Sequence, residues 1–213
     1  MVHQVIIRPA THSDIDDLVR VENAAWPPEQ AFTREHFESH LKVLSDFPEG
    51  LQVAVVNNEI AGIGIAEILV YDLNNPIPTW CEVTDNGYLE RTHNPNGNIL
   101  YGVSLSVDPK YSTMRIGRII IEAAEEVTIK YSLEGFILGS RVPRFYRYST
   151  QMKIDDYILA KKRSRFLDPE IEFYSKCGLK IISTLPNYFD DPQSLNFGIL
   201  MGWANPFRMM RAA

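Results

Sequence analysis

The stretch Ile99–Val127 decides the fold, and it reads ILYGVSLSVDPKYSTMRIGRIIIEAAEEV. Apolar side chains alternate along its first part, Ile99–Val107, which is the pattern of a β-strand. Asp108 and Pro109 end that strand, because proline cannot donate to a strand ladder. Apolar residues then recur at helical spacing to the end of the stretch, which predicts a helix with one face in a core. A polar turn, Lys110–Gly117, connects the predicted strand to the predicted helix.

The turn Lys110–Gly117 is a candidate anion site. The first N–H groups of a helix have no intrahelical acceptor, and the helix dipole adds positive potential there. Phosphate is the usual anion at such a junction. On these residues alone, an ordinary strand-to-helix turn is an equally good interpretation.

A second stretch, Asp168–Leu179, reads DPEIEFYSKCGL and predicts a short helix. Asp168 is a suitable N-cap, and Pro169 fits the first helical turn. Gly178 marks the stop, because glycine readily adopts the left-handed conformation that ends a helix.

The stretches Val107–Gly117 and Phe173–Leu179 together resemble two motifs of the GNAT acyltransferase superfamily. In that family the first motif grips the pyrophosphate and pantetheine of acetyl-CoA. The second is a Phe-Tyr-Glu-Lys-Leu-Gly-Phe helix whose tyrosine commonly protonates the departing thiolate. The resemblance implies an acetyl-CoA-dependent N-acetyltransferase with Tyr174 as that acid, and a backbone N–H at a strand bulge around Leu105–Val107 as the donor to the thioester oxygen. The cofactor-binding residues that it implies are Leu105, Ser106, Val107, Ser112, Thr113, Met114, Arg115, Ile116, Gly117 and Arg118.

The turn departs from the family pattern Gln/Arg-x-x-Gly-x-Gly/Ala at one position. Gly117 occupies the second small position, but Arg115 stands at the first. A guanidinium suits phosphate, whereas its bulk would hinder a close approach of the cofactor. The alternative function is therefore a non-catalytic acyl-CoA-binding or interaction module with a degenerate pyrophosphate loop.

Amide formation also needs a base, because a primary amine is protonated at neutral pH and cannot attack a thioester in that form. Glu67, in a predicted strand, is the first candidate. A predicted insertion offers further candidates, which are Glu82, Asp85, Glu90 and His93. A water relay without a single base is an equally good interpretation.

The remaining pattern fits one domain of the GNAT fold over residues 1–213. We expect an α/β (α+β) architecture with a central mixed, mostly antiparallel sheet of about seven strands flanked by helices. Two long insertions, about 71–98 and 142–167, interrupt it.

Three short stretches are similar to a particular subgroup, the GNAT domains fused to carbon–nitrogen hydrolase (nitrilase-like) domains. They are Arg141–Tyr146, Asp168-Pro169 and Leu185–Tyr188. Since the 213 residues show no hydrolase domain, a stand-alone version is expected.

Composition excludes several other classes of protein. A net charge of −6 argues against a nucleic-acid partner and mildly favours a cationic amine, either a small molecule or a peptide. The cysteines, Cys81 and Cys177, suit a reducing cytoplasm, and no signal peptide, membrane span or membrane partner is expected. The helical pair His36 and His40 lacks a third ligand, so no metal is expected. The sequence leaves monomer and homodimer open.

Overall fold

The computed structural model describes residues 4–208. The strands in this range are β1 (Val5–Pro9), β2 (Leu51–Val56), β3 (Glu59–Leu69), β4 (Ile99–Val107), β5 (Gly135–Ser140), β6 (Lys161–Lys162), β7 (Arg165–Phe166), β8 (Lys180–Leu185) and β9 (Gly198–Ala204). The α-helices in this range are α1 (Ile15–Ala25), α2 (Arg34–Val43), α3 (Trp80–Val83), α4 (Ile116–Lys130), α5 (Ile154–Leu159) and α6 (Pro169–Lys176).

Seven strands form one sheet in the order β1-β2-β3-β4-β5-β9-β8. Its neighbouring pairs are antiparallel except for β4 and β5, which are parallel. Strands β6 and β7 pair with each other within the second predicted insertion, and α3 lies within the first. The expected mixed, mostly antiparallel sheet flanked by helices is confirmed.

Local sequence explains several element boundaries. The β2–β3 hairpin turns at Asn57 and Asn58, whose φ angles of 48° and 65° are ones that asparagine tolerates. Helix α2 begins after Thr33, and Phe32 meets Phe37 edge to face with ring centroids 6.2 Å apart. This contact has the positions of a hydrophobic staple, which fixes how the chain enters the helix.

Helices α1 and α4 cover opposite faces of the sheet. The Ser106 hydroxyl bonds a carboxylate of α1, whereas Leu105 approaches Gly117 at the start of α4. Successive side chains of a strand point to opposite faces, so these two contacts lie on the two sides of β4. Within residues 4–208, no helix is long and apolar enough to cross a membrane.

Strands β4 and β5 separate before either of them ends. Their pairing runs from Ile99 opposite Gly135 to Gly102 opposite Leu138. Beyond Gly102, β4 continues to Val107 and pairs only with β3 among the described strands. Strand β5 likewise continues to Ser140 and pairs there with β9. A gap therefore opens in the middle of the sheet.

The bulge in β4 lies at Val103. Ile65 pairs with Ser104 and Ala66 with Gly102, which leaves Val103 as the extra residue. The sequence-based expectation around Leu105–Val107 was therefore two residues too far along the strand.

The physical reason is that a bulge belongs to the pairing of two strands, which the pattern of β4 alone does not contain. Gly62 and Gly64 pair with Val107 and Leu105, and a Cβ on Gly64 would stand only 2.4 Å from Ile120. The ladder is regular at these pairs, and the bare backbone of the two glycines lets α4 pack closely against it.

Tyr188 packs against bare backbone on two strands. A Cβ on Gly139 or Gly198 would stand 2.2 Å or 2.5 Å from its ring. The Tyr188 hydroxyl is hydrogen-bonded to the buried hydroxyl of Tyr101, which anchors the ring over the sheet.

Gly139→Ala should therefore destabilise the fold by about 1–3 kcal/mol, because the new methyl group forces an anchored ring to move. Urea denaturation measures the change in the free energy of unfolding. In a Tyr188→Ala background the same substitution should cost much less. An equal cost in both backgrounds would show that Tyr188 is not the obstacle.

Candidate active site

A cavity of about 330 Å³ lies at the gap between β4 and β5. Strand β4 contributes Val103, Ser104 and Leu105 to its wall, and the end of β5 contributes Gly139. Its polar and aromatic lining includes Glu22, Trp26, Glu29, Glu49, Trp80, Arg141, Glu170, Tyr174, Tyr188, Asp190 and Asp191. The cavity thus combines an apolar slot between strands with carboxylates and one arginine.

The predicted phosphate turn is a 3₁₀-helix, Pro109–Met114, that runs into α4. Arg115 joins the two with φ 59° and ψ 25°, a left-handed conformation that favours glycine. At Arg115 the backbone therefore adopts the conformation that a glycine would adopt there. The Arg115 side chain is exposed, so it does not disturb this backbone conformation. Ile119 makes an early helical bond, from its N–H to the Arg115 carbonyl at 3.2 Å, so the preceding amides belong to the unpaired first turn.

The implied cofactor residues fall in three places. Leu105 lines the cavity, and Ser106 lies behind it on the α1 face. Val107 and residues 112–118 are outside the cavity wall, at the start of α4. Gly117 packs closely against α6, since a Cβ at this position would stand 3.2 Å from the Phe173 ring.

Tyr174 lines the cavity from α6. Asp168 fixes the start of that helix by accepting from the N–H of Glu170 at 3.0 Å and from the hydroxyl of Tyr157 at 3.0 Å. Burial, reinforced by the negative charge of Glu170, raises the pKa of Tyr174. The phenol is therefore protonated at neutral pH, as a proton donor must be.

Glu170 is a lining residue that the sequence analysis missed. It precedes Tyr174 by one helical turn and therefore shares its helix face. Burial raises the pKa of the Glu170 carboxyl to about 7, although Arg141 acts in the opposite direction. The sequence contained one signal for this residue: Glu170 precedes Tyr174 by four positions in a predicted helix, which places both side chains on one helix face.

Arg141 is partly buried at the end of β5. Its Nε donates to Asp191 at 2.9 Å, and its guanidinium lies 5.7 Å from the ring centroid of Trp26. Burial acts to raise the pKa of Asp191, but hydrogen bonds from Arg141 and Ser194 outweigh it and hold that pKa below its ordinary value. The neighbouring Arg144 and Arg147 are exposed and lie outside the cavity wall.

Glu22 is buried on α1 at the cavity wall, and both of its oxygens are engaged. One accepts from the Ser106 hydroxyl at 2.6 Å and the other from the Phe32 N–H at 3.2 Å. Trp26 donates to the same Ser106 hydroxyl at 2.8 Å. Burial raises the pKa of Glu22.

Glu67 is fully buried, and its carboxyl accepts from the Thr92 hydroxyl at 2.8 Å. Its other oxygen has no hydrogen-bond partner within the described residues. Burial raises the pKa of Glu67 to about 8. Its neighbour Ala66 lines the cavity and Glu67 does not. Its role as the base stays a prediction.

The candidates in the first insertion also lie outside the cavity wall, and they are Glu82, Asp85, Glu90 and His93. Asp85 pairs with Arg91, and His93 accepts from the Ile68 N–H at 3.2 Å. Burial lowers the pKa of His93. Among residues 4–208, no cluster of three or more His, Cys, Asp or Glu side chains could hold a metal ion.

A mixed sheet that splits at a short parallel pair, with a cavity in the split, defines the class of the protein as the GNAT fold. Many solved structures share this fold, including the following two. The loading GNATL domain of CurA from Lyngbya majuscula has a TM-score of 0.81 and 19% identity, with 96% of this chain and 100% of that chain covered. The GNAT-like decarboxylase GphF in complex with isobutyryl-CoA has a TM-score of 0.76 and 22% identity, with 94% and 99% covered.

Relatives at higher sequence identity place the chain in a family. The uncharacterized N-acetyltransferase YkwB of Bacillus subtilis (strain 168) is 35% identical over 205 residues, which cover 94% of this chain and 89% of YkwB. The chain belongs to the GNAT N-acetyltransferase superfamily. The probable hydrolase YhcX of the same organism is 32% identical over 203 residues, but these span only 39% of YhcX and 95% of this chain. No protein-family model matches the chain.

Proposed function

We propose that the protein transfers an acetyl group from acetyl-CoA to a primary amine, on a small molecule or a peptide, by direct attack of the amine on the thioester. The observation that carries this proposal is the gap between β4 and β5, because the cavity within it is bordered by Tyr174. Membership of the N-acetyltransferase superfamily supports it. GphF, whose solved complex contains isobutyryl-CoA, supports a CoA-type co-substrate.

The residues present fit the two ends of acetyl-CoA. Pantetheine is a narrow chain with two amides, and β4 beyond Gly102 offers backbone groups on the side that faces β5. The pyrophosphate would meet the unpaired first turn of α4, where the helix dipole favours an anion. Because Arg115 adopts the left-handed backbone of a glycine, its side chain is compatible with this role, which favours an enzyme over a degenerate binding module.

The reaction needs a donor to the thioester oxygen and an acid for the sulfur. The backbone at the Val103 bulge, beside the cavity, is our candidate for the donor, because the negative charge on that oxygen grows during attack. Tyr174 is our candidate for the acid, since it lines the same cavity with its proton in place. Glu67 would have to accept a proton through an intervening group, because it does not line the cavity.

We also propose that the chain is related to the GNAT domains that are fused to carbon–nitrogen hydrolase domains. The match to part of the longer probable hydrolase YhcX supports this relationship. The proposed setting is a reducing cytoplasm, supported by the unpaired thiols of exposed Cys81 and buried Cys177.

A thermal shift of the purified protein tests the proposed co-substrate. Acetyl-CoA at about a hundred times its dissociation constant should raise the free energy of unfolding by roughly 2.7 kcal/mol, because it binds the folded state alone. ADP should give a smaller shift, since it lacks the pantetheine that would lie in the gap. No shift at millimolar acetyl-CoA would contradict the proposal.

A further inference from the structure

We propose that Glu170 accepts the proton that the acceptor amine must lose before it attacks. This inference rests on the proposed acetyl transfer and names the base for it. Its geometric basis is one face of α6, where Glu170 and Tyr174 stand one turn apart and line the same cavity.

The start of α6 holds this face in place. The carboxylate of Asp168 is buried and accepts from the backbone N–H of Glu170 and from that of Ile171. The same carboxylate binds the buried Tyr157 hydroxyl at 3.0 Å. Because the cap is itself anchored, the first turn of α6 is rigid, and the position of Glu170 relative to Tyr174 is fixed by the helix.

Other carboxyls of the cavity wall are tied up by side-chain or backbone partners on other elements. Glu22 receives hydrogen bonds on both oxygens. Asp191 binds Arg141 and Ser194, and Glu49 binds Lys130 and Tyr131. Glu29 and Asp190 are exposed on loops. Glu170 is partly buried and accepts a backbone hydrogen bond from Arg141, and it is the carboxyl of the wall that lies on the same helix as the proposed acid.

The charges around Glu170 suit proton exchange near neutral pH. Burial raises the pKa of the carboxyl to about 7, and the nearby carboxylates of Asp168 and Asp191 act in the same direction. The charge of the Arg141 guanidinium and a hydrogen bond from the Arg141 backbone oppose them and keep the ionised form accessible. A carboxyl with a pKa near the working pH can both accept a proton and release it in each cycle.

The proposed step is balanced in protons. The ammonium group of the acceptor gives one proton to the Glu170 carboxylate and becomes a neutral amine. The amine nitrogen then forms a bond to the thioester carbon, and the carbon–sulfur bond breaks. The thiolate takes a proton from Tyr174, which regains one from the nitrogen of the new amide. Glu170 finally releases its proton to solvent, so that each cycle yields an amide, a thiol and one proton.

Glu170→Gln tests the proposal, because glutamine keeps the shape of the side chain but cannot accept a proton. With acetyl-CoA and a panel of unbranched primary amines, we expect kcat to fall on the order of 10²-fold. The rise of the wild-type rate with pH near pH 7 should disappear. The matched control is Glu126→Gln, an exposed carboxylate on α4 outside the cavity wall, which should keep the rate and the pH profile.

Two further measurements separate the outcomes. The thermal shift with acetyl-CoA should be the same in Glu170→Gln as in the wild type, since α6 stays folded. A wild-type protein that shows no shift would overturn the proposed function, whereas a normal shift with an unchanged rate and pH profile in the variant would overturn only the role of Glu170. A ¹³C NMR titration of labelled glutamate carboxyls needs no acceptor. A Glu170 signal that titrates near 4.5 instead of near 7 would also overturn the proposal.

Discussion

Tyr174→Phe is expected to slow acetyl transfer by about 10²–10⁴-fold and to leave acetyl-CoA binding intact. The phenol hydroxyl is the only group that the substitution removes, and the ring continues to pack in the cavity wall. Burial keeps the Tyr174 pKa high, so the hydroxyl holds its proton until the thiolate forms. Thiol release with a primary amine measures kcat, and the thermal shift with acetyl-CoA measures binding.

A matched control for this substitution is Tyr146→Phe. Tyr146 is 43% exposed and lies outside the cavity wall, so removing its hydroxyl should change neither kcat nor the thermal shift with acetyl-CoA. A Tyr174→Phe variant with the wild-type rate would remove Tyr174 from the mechanism, and the sulfur would then have to take its proton from another donor. Loss of the thermal shift would instead mean that the hydroxyl supports the binding site.

Glu67→Gln is expected to raise the free energy of unfolding by several kcal/mol above pH 8. Below pH 5 the substitution should change that free energy little. Burial raises the pKa of Glu67 from its ordinary value of 4.5 to about 8, so the folded state binds a proton that the unfolded state releases. Folding stability contributed by this group is therefore complete below pH 4.5 and is lost as the pH rises to about 8, by about 1.4 kcal/mol for each pH unit. Glutamine is neutral throughout and removes this loss.

Denaturant unfolding of the wild type and of Glu67→Gln at several pH values measures the difference. The exposed Glu126→Gln variant controls for the change in net charge. If the free energies of unfolding of the wild type and of Glu67→Gln changed in parallel with pH, Glu67 would not be neutral in the folded state at neutral pH. An unchanged rate of acetyl transfer in Glu67→Gln would separately contradict its predicted role as the base.

The sheet was predictable because its strands follow strong local rules. The strand Ile99–Val107 ends at Asp-Pro, and the hairpin of β2 and β3 turns at two asparagines. Helix α6 begins at an Asp-Pro cap, as its sequence indicates. In each case the residues that decide the element lie within the element or next to it.

Features of the site that depend on distant residues were harder to predict. The bulge lies at Val103 because of the register between β4 and β3, and the pattern of β4 alone does not contain that register. Arg141 lines the cavity because Asp191 holds it there, although fifty residues of chain separate the two. Glu67 is fully buried and is hydrogen-bonded by Thr92 of the first insertion, a contact that the pattern of its own strand does not contain.

The short parallel pairing of β4 with β5 makes the sheet two antiparallel halves that share a narrow seam. One half is β1-β2-β3-β4, and the other is β5-β9-β8. A ligand with amide groups that lies in the gap would take the place of a missing strand and lengthen the seam. The same bonds that recognise such a ligand would then join the halves, so affinity for the ligand and rigidity of the sheet would rise or fall together.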